Sequence, residues 1–233
     1  RSGFAGIFTY AVNSGFGPNP VKSVSFFDAM RFVNWLENGQ PTRAQGPGTT
    51  EDGVYTIGTG FNETRAAGAT FFIPSEDEWY KAAYHDPRLA AAGGPPGDDN
   101  YWFYSTQSDT APTAEAPPGG VNSANYNQAV GNSTDVGAYT GTTSFYGTFD
   151  QAGNVWEWNE AVVIPSSTST PARALRSGHW SSSNSGNLSA SGRSLGHPWV
   201  ESNDIGFRVA SIPEPSTLLL SLLGLAAVGI KRP

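Results

Sequence analysis

Hard-oxygen chemistry is concentrated in Tyr146–Glu160, which reads YGTFDQAGNVWEWNE. Asp150 and Glu157 flank a Gly153-Asn154 turn, and such a turn also tips backbone carbonyls inward. Carboxylates interleaved with carbonyls suit a hard cation such as calcium, which takes roughly six to eight oxygen ligands. The alternative is that Glu157 pairs with a buried arginine while Asp150 caps a turn. Redox or hydrolytic chemistry has thinner support. The three histidines, His85, His179 and His197, stand in separate loops without the i, i+4 spacing of a helical metal pair. Iron held by His179, another histidine and a carboxylate therefore needs assembly in three dimensions. No G-x-S-x-G elbow, phosphate-binding Gly-Lys loop or H-E-x-x-H is present, and nothing local points to a Ser/His/Asp triad.

These residues need a frame, and the sequence predicts two helices for it. Ser25 with Asp28 forms a near capping box, Phe26, Met30, Val33 and Leu36 follow at helical spacing, and Gly39 supplies a stop. Ser75 with Glu78 opens the second helix, and Pro87 ends it. Phe8 and Tyr10 mark a strand and loop near the start. Short strands are expected at 54–57, 155–158, 174–176 and 206–210. Residues 88–145, low in charge and rich in small and turn-forming types, are too long for an ordinary connection. They read as functional surface, or as loop held by ions or packing.

Composition agrees with a loop-rich body. With 233 residues the chain is long enough for one sizeable core without covalent staples, and charged residues are only 14 % beside 28 Gly and 17 Pro. Seven Trp, nine Tyr and thirteen Phe supply the core volume. A net charge of −7 argues against a nucleic-acid partner, since no basic stripe faces phosphates. Cysteine is absent, which excludes disulfides, zinc-thiolate sites, iron–sulfur clusters and a thiol nucleophile in this chain. The first residue is Arg1, so the chain reads as a fragment of a longer, exported protein.

The end differs in kind. Pro213-Glu214-Pro215 precedes the apolar run Leu218–Ile230 and the basic pair Lys231-Arg232. The run is short of the roughly 20 residues of a spanning helix, and the basic end fits a cytoplasmic-side anchor. A buried core helix is the alternative. The segment resembles the PEP-CTERM sorting tag of exported bacterial proteins. That resemblance implies an exosortase-type membrane protease as partner, transient membrane anchorage, and delivery to the cell surface or beyond. Residues 1–211 are then the globular domain and 212–233 the sorting segment.

Blocks in order along the globular part resemble the formylglycine-generating-enzyme, or sulfatase-modifying factor, domain. They are NPVKSVSFFDAMRFVNWLENG at 19–39, FIPSEDEWYKAAYHDP at 72–87, Tyr146–Glu160, LRSGHW at 175–180 and NDIGFRVA at 203–210. The resemblance implies an α+β, C-type-lectin-like fold with two main helices, a small twisted antiparallel sheet and high loop content. It also implies that the opening of the family domain is missing here. Trp35, Trp79, Trp156, Trp158 and Trp180 read as core anchors whose indole N–H groups find local partners, and Arg193 and Arg208 as buried arginines paired with carboxylates.

The same resemblance locates the missing chemistry. Oxidase members bind copper through a cysteine pair, near the positions that hold Ser182 and Asn187 here, and oxidise a target cysteine to formylglycine. A hydroxyl is a poor ligand for Cu(I), so that mechanism is excluded. Another branch contains non-haem iron enzymes that form sulfoxides. Members with structural calcium imply a first site from the side chains of Asp150 and Glu157 and the carbonyls of Gly153 and Val155. A second would use Asn125 and the carbonyl of Tyr126. The expectation is an exported, non-catalytic binding domain, facing polysaccharide or a surface protein through loops near Tyr101–Tyr104 and 181–187. Its rival is an oxidoreductase of the same family using a non-haem metal.

Overall fold

Ser25 and Ser75 start the helices, as their neighbours predict. In the computed structural model, Ser25 Oγ accepts the Asp28 N–H at 3.2 Å and Asp28 Oδ2 accepts the Ser25 N–H at 2.9 Å. A box closed by the shorter Asp thus satisfies the same orphan donors as one closed by Glu. Helix α1 (Phe26–Glu37) buries Phe26, Met30 and Val33, and Gly39 follows its end with a left-handed φ of 77°. Helix α2 (Glu76–Tyr84) opens on the Ser75–Glu78 box and stops ahead of Pro87, where His85 is extended and bridges to Tyr101. The structure describes residues 14–166 and 169–212, with the backbone of 2–4 and 7–9. Tyr10 and the Pro-Glu-Pro and Leu218–Ile230 segments, read above as strand and sorting tag, lie outside the described residues.

Two expectations for this part of the chain are corrected. Leu36 is only half-buried, and the core-facing position on the last turns of α1 belongs to Asn34, which is fully buried. Its amide donates to the carbonyls of Thr50 and Tyr55 and its Oδ1 accepts the Tyr55 N–H, all at 2.8 Å. Both backbone groups of Tyr55 are thereby bound to a side chain. No strand forms at 54–57 for that reason: a helix-borne amide supplies the partners that a neighbouring strand would have supplied.

The main sheet is built on β6 (Trp156–Val163). It is flanked by β7 (Ala172–Arg176), which pairs antiparallel with Glu157 opposite Arg176, and by β9 (Ile205–Phe207), which pairs parallel with Glu157 opposite Gly206. Strand β8 (Ser194–Gly196) adds antiparallel to β7. The expected antiparallel sheet therefore carries one parallel edge. Alternation along β6 sends Trp156 and Trp158 into the core with Phe26, Met30, Val33, Tyr55, Ile73 and Leu175. Trp158 meets Phe26 edge-on at 6.0 Å between ring centroids and donates Nε1–H to the Val24 carbonyl at 3.1 Å. Gly206 is required on β9, because a Cβ there would stand 2.3 Å from the Val21 carbonyl oxygen.

The expected strand at 206–210 splits in two. Pairing lapses at Arg208 and Val209, and the chain resumes it as β10 (Ala210–Ser211), antiparallel to β3 (Phe71–Phe72). Near the start of the chain, β1 (Ser2–Phe4) pairs antiparallel with β2 (Ile7–Thr9). Residues 88–145 contribute only β4 (Thr113–Ala114) and β5 (Ser123–Ala124), a short parallel pair, and a 3-10 turn at Ala90–Ala92. Packing holds them: Tyr104 and Ala124 join Ala152 and Leu188 in a second buried cluster, with Tyr126 against it.

Candidate functional site

The face of β6 opposite the tryptophans points Glu157 toward α2 and the chain after β9. Glu157 Oε2 accepts the Trp79 indole N–H at 2.6 Å and Arg208 Nε at 2.5 Å, while Oε1 accepts Arg208 Nη2 at 2.6 Å. This is the bidentate fork for which a planar guanidinium is suited. Burial works against the charge on Arg208, yet Glu157 outweighs it and holds the guanidinium above its ordinary range. Arg208 Nη2 also donates to the Phe149 carbonyl at 3.1 Å, tying the loop before β6 to the pair.

Asp150 sits one residue beyond, in a left-handed conformation with φ 59°. Its Oδ2 accepts the Gly137 N–H at 2.7 Å. Burial pushes its carboxyl upward, and the Gly137 bond and Arg208 oppose that push. Asp150, Val155, Glu157 and Arg208 line one cavity of about 420 Å³ with Val21, Val136 and Phe207.

The six residues read from the sequence as calcium ligands thus fall into two groups. Asp150, Val155 and Glu157 share the cavity; Gly153 and Asn125 pair with each other, with Tyr126 beside them. Glu157 has the arginine partner of the alternative reading, and Asp150 caps the 135–137 turn as that reading also expects. A cation on the Glu157 carboxylate would lie against the Arg208 guanidinium, so Glu157 does not fit an open ligand position. The second group fits better. Asn125 Oδ1 is buried and has no hydrogen-bond partner, and Thr134 Oγ1 is in the same condition. Both residues are tied to Asn154, whose Oδ1 accepts the Thr134 N–H at 2.9 Å and the Asn125 amide at 3.4 Å. Gly153, with φ 84°, is needed at this crossing because a Cβ would stand 2.2 Å from the Asn125 carbonyl oxygen.

The histidines occupy separate surroundings. His179 stacks on Trp156 with centroids 6.0 Å apart, and its Nδ1 lies 3.2 Å from Asp204 Oδ2. Burial lowers its pKa and Asp204 partly restores it. His85 Nδ1 lies 2.7 Å from the Tyr146 hydroxyl, and His197 stacks face to face on Trp199 at 4.7 Å. Among the described residues no three His, Cys, Asp or Glu side chains converge as a metal set. Ser182, at the first expected thiol position, is buried and its Oγ accepts the His179 backbone N–H at 3.0 Å. Asn187 lies in the 3-10 turn Ser185–Leu188. The paired-tryptophan expectation holds for Trp35, Trp79 and Trp158, whose indoles reach Pro41, Glu157 and Val24. Trp180 Nε1 is buried without a partner. Arg193 bonds Glu76 as expected but from a side chain 43 % exposed, so it is a surface partner rather than a buried one.

A further concavity lies where loops were expected to present a binding surface. Tyr101, Trp102 and Phe103 line a groove of about 500 Å³ with Tyr80 of α2, Asp99 and Asp109. Of the surface expected at Tyr101–Tyr104 and 181–187, only Tyr101, Trp102 and Phe103 line this groove; Tyr104 is buried in the second cluster and 181–187 lies outside the lining, whereas Tyr80, Asp99 and Asp109 were not expected. The signal for Asp99 was available: an Asp two residues before an aromatic is poised to accept that residue's N–H in an Asx turn, and Asp99 Oδ1 accepts the Tyr101 N–H at 3.2 Å.

Comparison with known proteins adds the following. Residues 11–212 match the model for the sulfatase-modifying factor enzyme 1-like domain, and residues 211–232 match the PEP-CTERM protein-sorting motif. Among solved structures, variable protein 1 of Treponema denticola superimposes with a TM-score of 0.56 at 23 % identity, over 88 % of this chain and 76 % of that one. The structure of CarF superimposes with a TM-score of 0.56 at 20 % identity, over 86 % and 70 %. At such identity these likenesses concern the fold alone. A search of curated proteins gave no match.

Proposed function

The chain belongs to the sulfatase-modifying factor enzyme 1-like domain family and carries a PEP-CTERM sorting motif, and from this premise we propose that it is a non-catalytic binding domain of the cell exterior. The motif marks the protein for export and exosortase-mediated sorting. The finer reading, a domain that holds polysaccharide or a surface protein, is supported by one observation above all. Where the copper-binding thiols would stand, Ser182 is buried and engaged in closing its own turn, and the chain has no thiol to replace it. The frame is kept while the soft ligands are gone.

The test offers the purified protein a cysteine-containing target peptide with copper and oxygen, alongside an array of polysaccharides. The expected result is an unmodified cysteine by mass spectrometry and retention on at least one glycan. Conversion to formylglycine, or stoichiometric iron or copper in the purified protein with sulfoxide-forming turnover, overturns the reading in favour of the oxidoreductase.

A structural calcium belongs to this proposal in narrowed form. Asn125 Oδ1, the Tyr126 carbonyl and Thr134 Oγ1 would hold it, and an ion bound only by the folded chain adds stability. The two unpartnered side-chain oxygens support the assignment, while the Tyr126 carbonyl, which also accepts the Ala129 N–H at 3.1 Å, would be shared with the ion. A rise in unfolding temperature with calcium, abolished in Asn125→Ala, is the expected outcome; no shift in the parent protein sinks the site.

A further inference from the structure

Resting on the binding reading above, we infer that the groove between α2 and the 96–109 loop takes a polymer of amino sugars carrying free ammonium groups. Three observations carry this. The wall is aromatic: Tyr80 and Tyr101 pack at 5.3 Å between centroids with planes tilted by 45°, and Phe103 beside them is 44 % exposed. One ring open to solvent beside two half-buried ones suits the C–H faces of pyranose rings, which carry apolar patches and a polar rim. The volume of about 500 Å³ lies in the range of small-molecule sites and admits a short stretch of sugar units.

The charge decides which sugar. Asp99 and Asp109 line the groove, and no Lys or Arg does. Each carboxylate is oriented by a backbone amide: Asp99 Oδ1 accepts the Tyr101 N–H at 3.2 Å, and Asp109 Oδ1 accepts the Phe103 N–H at 2.8 Å. The same residues that form the wall therefore aim the carboxylates, and the second oxygen of each remains for a ligand. Glucuronate-type polymers are repelled by such a groove. Neutral glycans gain only the stacking. An ammonium gains a charge-assisted hydrogen bond in addition. Nearby, Arg176 lies over the Tyr80 ring but is spent on Glu76 and is 7 % exposed, so it does not reverse the sign.

Titration of the purified protein with a β-linked glucosamine hexamer, its fully N-acetylated counterpart, a glucose hexamer and hexalysine tests this directly. The glucosamine hexamer is expected to bind about tenfold or more tighter than the acetylated and glucose forms, a difference that weakens with salt. Asp99→Asn with Asp109→Asn keeps both Oδ1 acceptors, and so the loop, and is expected to erase that difference. Phe103→Ala, on an exposed ring, weakens all the sugars together. Hexalysine binding as tightly as glucosamine overturns the sugar in favour of a basic peptide. Equal affinity for the glucose hexamer overturns the role of the carboxylates. Retention of other glycans with none of these bound in the groove overturns the inference and leaves the binding reading standing; oxidative turnover overturns that reading instead.

Discussion

The sheet half of the molecule and the 88–145 half satisfy their buried polar groups by different means. Around β6 the backbone groups are consumed by strand ladders, and what remains is settled by charged side chains: Glu157 with Arg208, Glu63 with Arg173, and Glu76 with Arg176. In the 88–145 region the ladders are nearly absent, and single side chains bridge to backbone and to hydroxyls, with carboxylates such as Asp99 and Asp109 spent on backbone amides rather than on arginines. Asn122 alone donates to Ser108 Oγ and to the carbonyls of Thr110 and Ala111, and its Oδ1 accepts from Thr106. A buried ion pair is costly to break, because removing one partner strands the other in a low-dielectric site. An amide bridging loops leaves groups that water can reach. The contrast predicts cooperative, global losses from one half and local loosening from the other.

The sharpest way to break that comparison is Glu157→Ala. It leaves the Trp79 N–H without an acceptor and the half-buried Arg208 with only the Phe149 carbonyl, and a loss of about 3 kcal/mol in urea unfolding is expected; less than about 1 kcal/mol would remove the pair from its organising role. Asn34→Ala comes next. Loss of its bonds to Thr50 and Tyr55 is expected to cost about 2–3 kcal/mol by the same measurement. Asn122→Ala is expected to cost about 1 kcal/mol or less. Its main sign is faster amide exchange at Thr113, whose N–H bonds the Asn122 carbonyl, with core amides on β6 unchanged. Loss of protection across β6 in this variant would erase the contrast.

The smallest effect concerns pH. Burial raises the Asp150 carboxyl above its ordinary 3.8 in the folded state. The folded protein then binds that proton more readily than the unfolded chain, so the ionised group opposes folding at neutral pH, and the penalty fades as pH falls through the folded pKa. Asp150→Asn, which keeps the acceptor for Gly137, is expected to raise the unfolding temperature slightly at pH 7 and to lose that advantage near pH 3. A fall at pH 7 present only with added calcium would instead return Asp150 to the ion.

What was legible in the sequence follows the same division. Ser25 with Asp28 and Ser75 with Glu78 are local chemistry, complete within four residues, and both helices start where those boxes stand. The tryptophans of β6 declare a strand beside a turn, and the family blocks around them give the fold. Tyr55 was illegible as loop because its partner, Asn34, lies on a different element. Glu157 was legible as a carboxylate in need of a partner, and two chemistries offered one. Choosing Arg208 required the path of the chain between β9 and β10. The 101–103 side of the groove was legible as loop surface, while Tyr80 escaped for the same reason as Asn34: it lies on α2, and only tertiary packing joins it to Tyr101.

Ser211 belongs at once to the last paired strand and to the first residue of the sorting motif. Ile212 continues the zipper by donating its N–H to the Thr70 carbonyl at 3.0 Å. A pull on that motif is therefore delivered into the pairing with Phe71 and Phe72. From there it runs toward the Glu157–Arg208 clasp, which lies just behind β10. Tension applied through the tail therefore meets those few bonds before it meets the core.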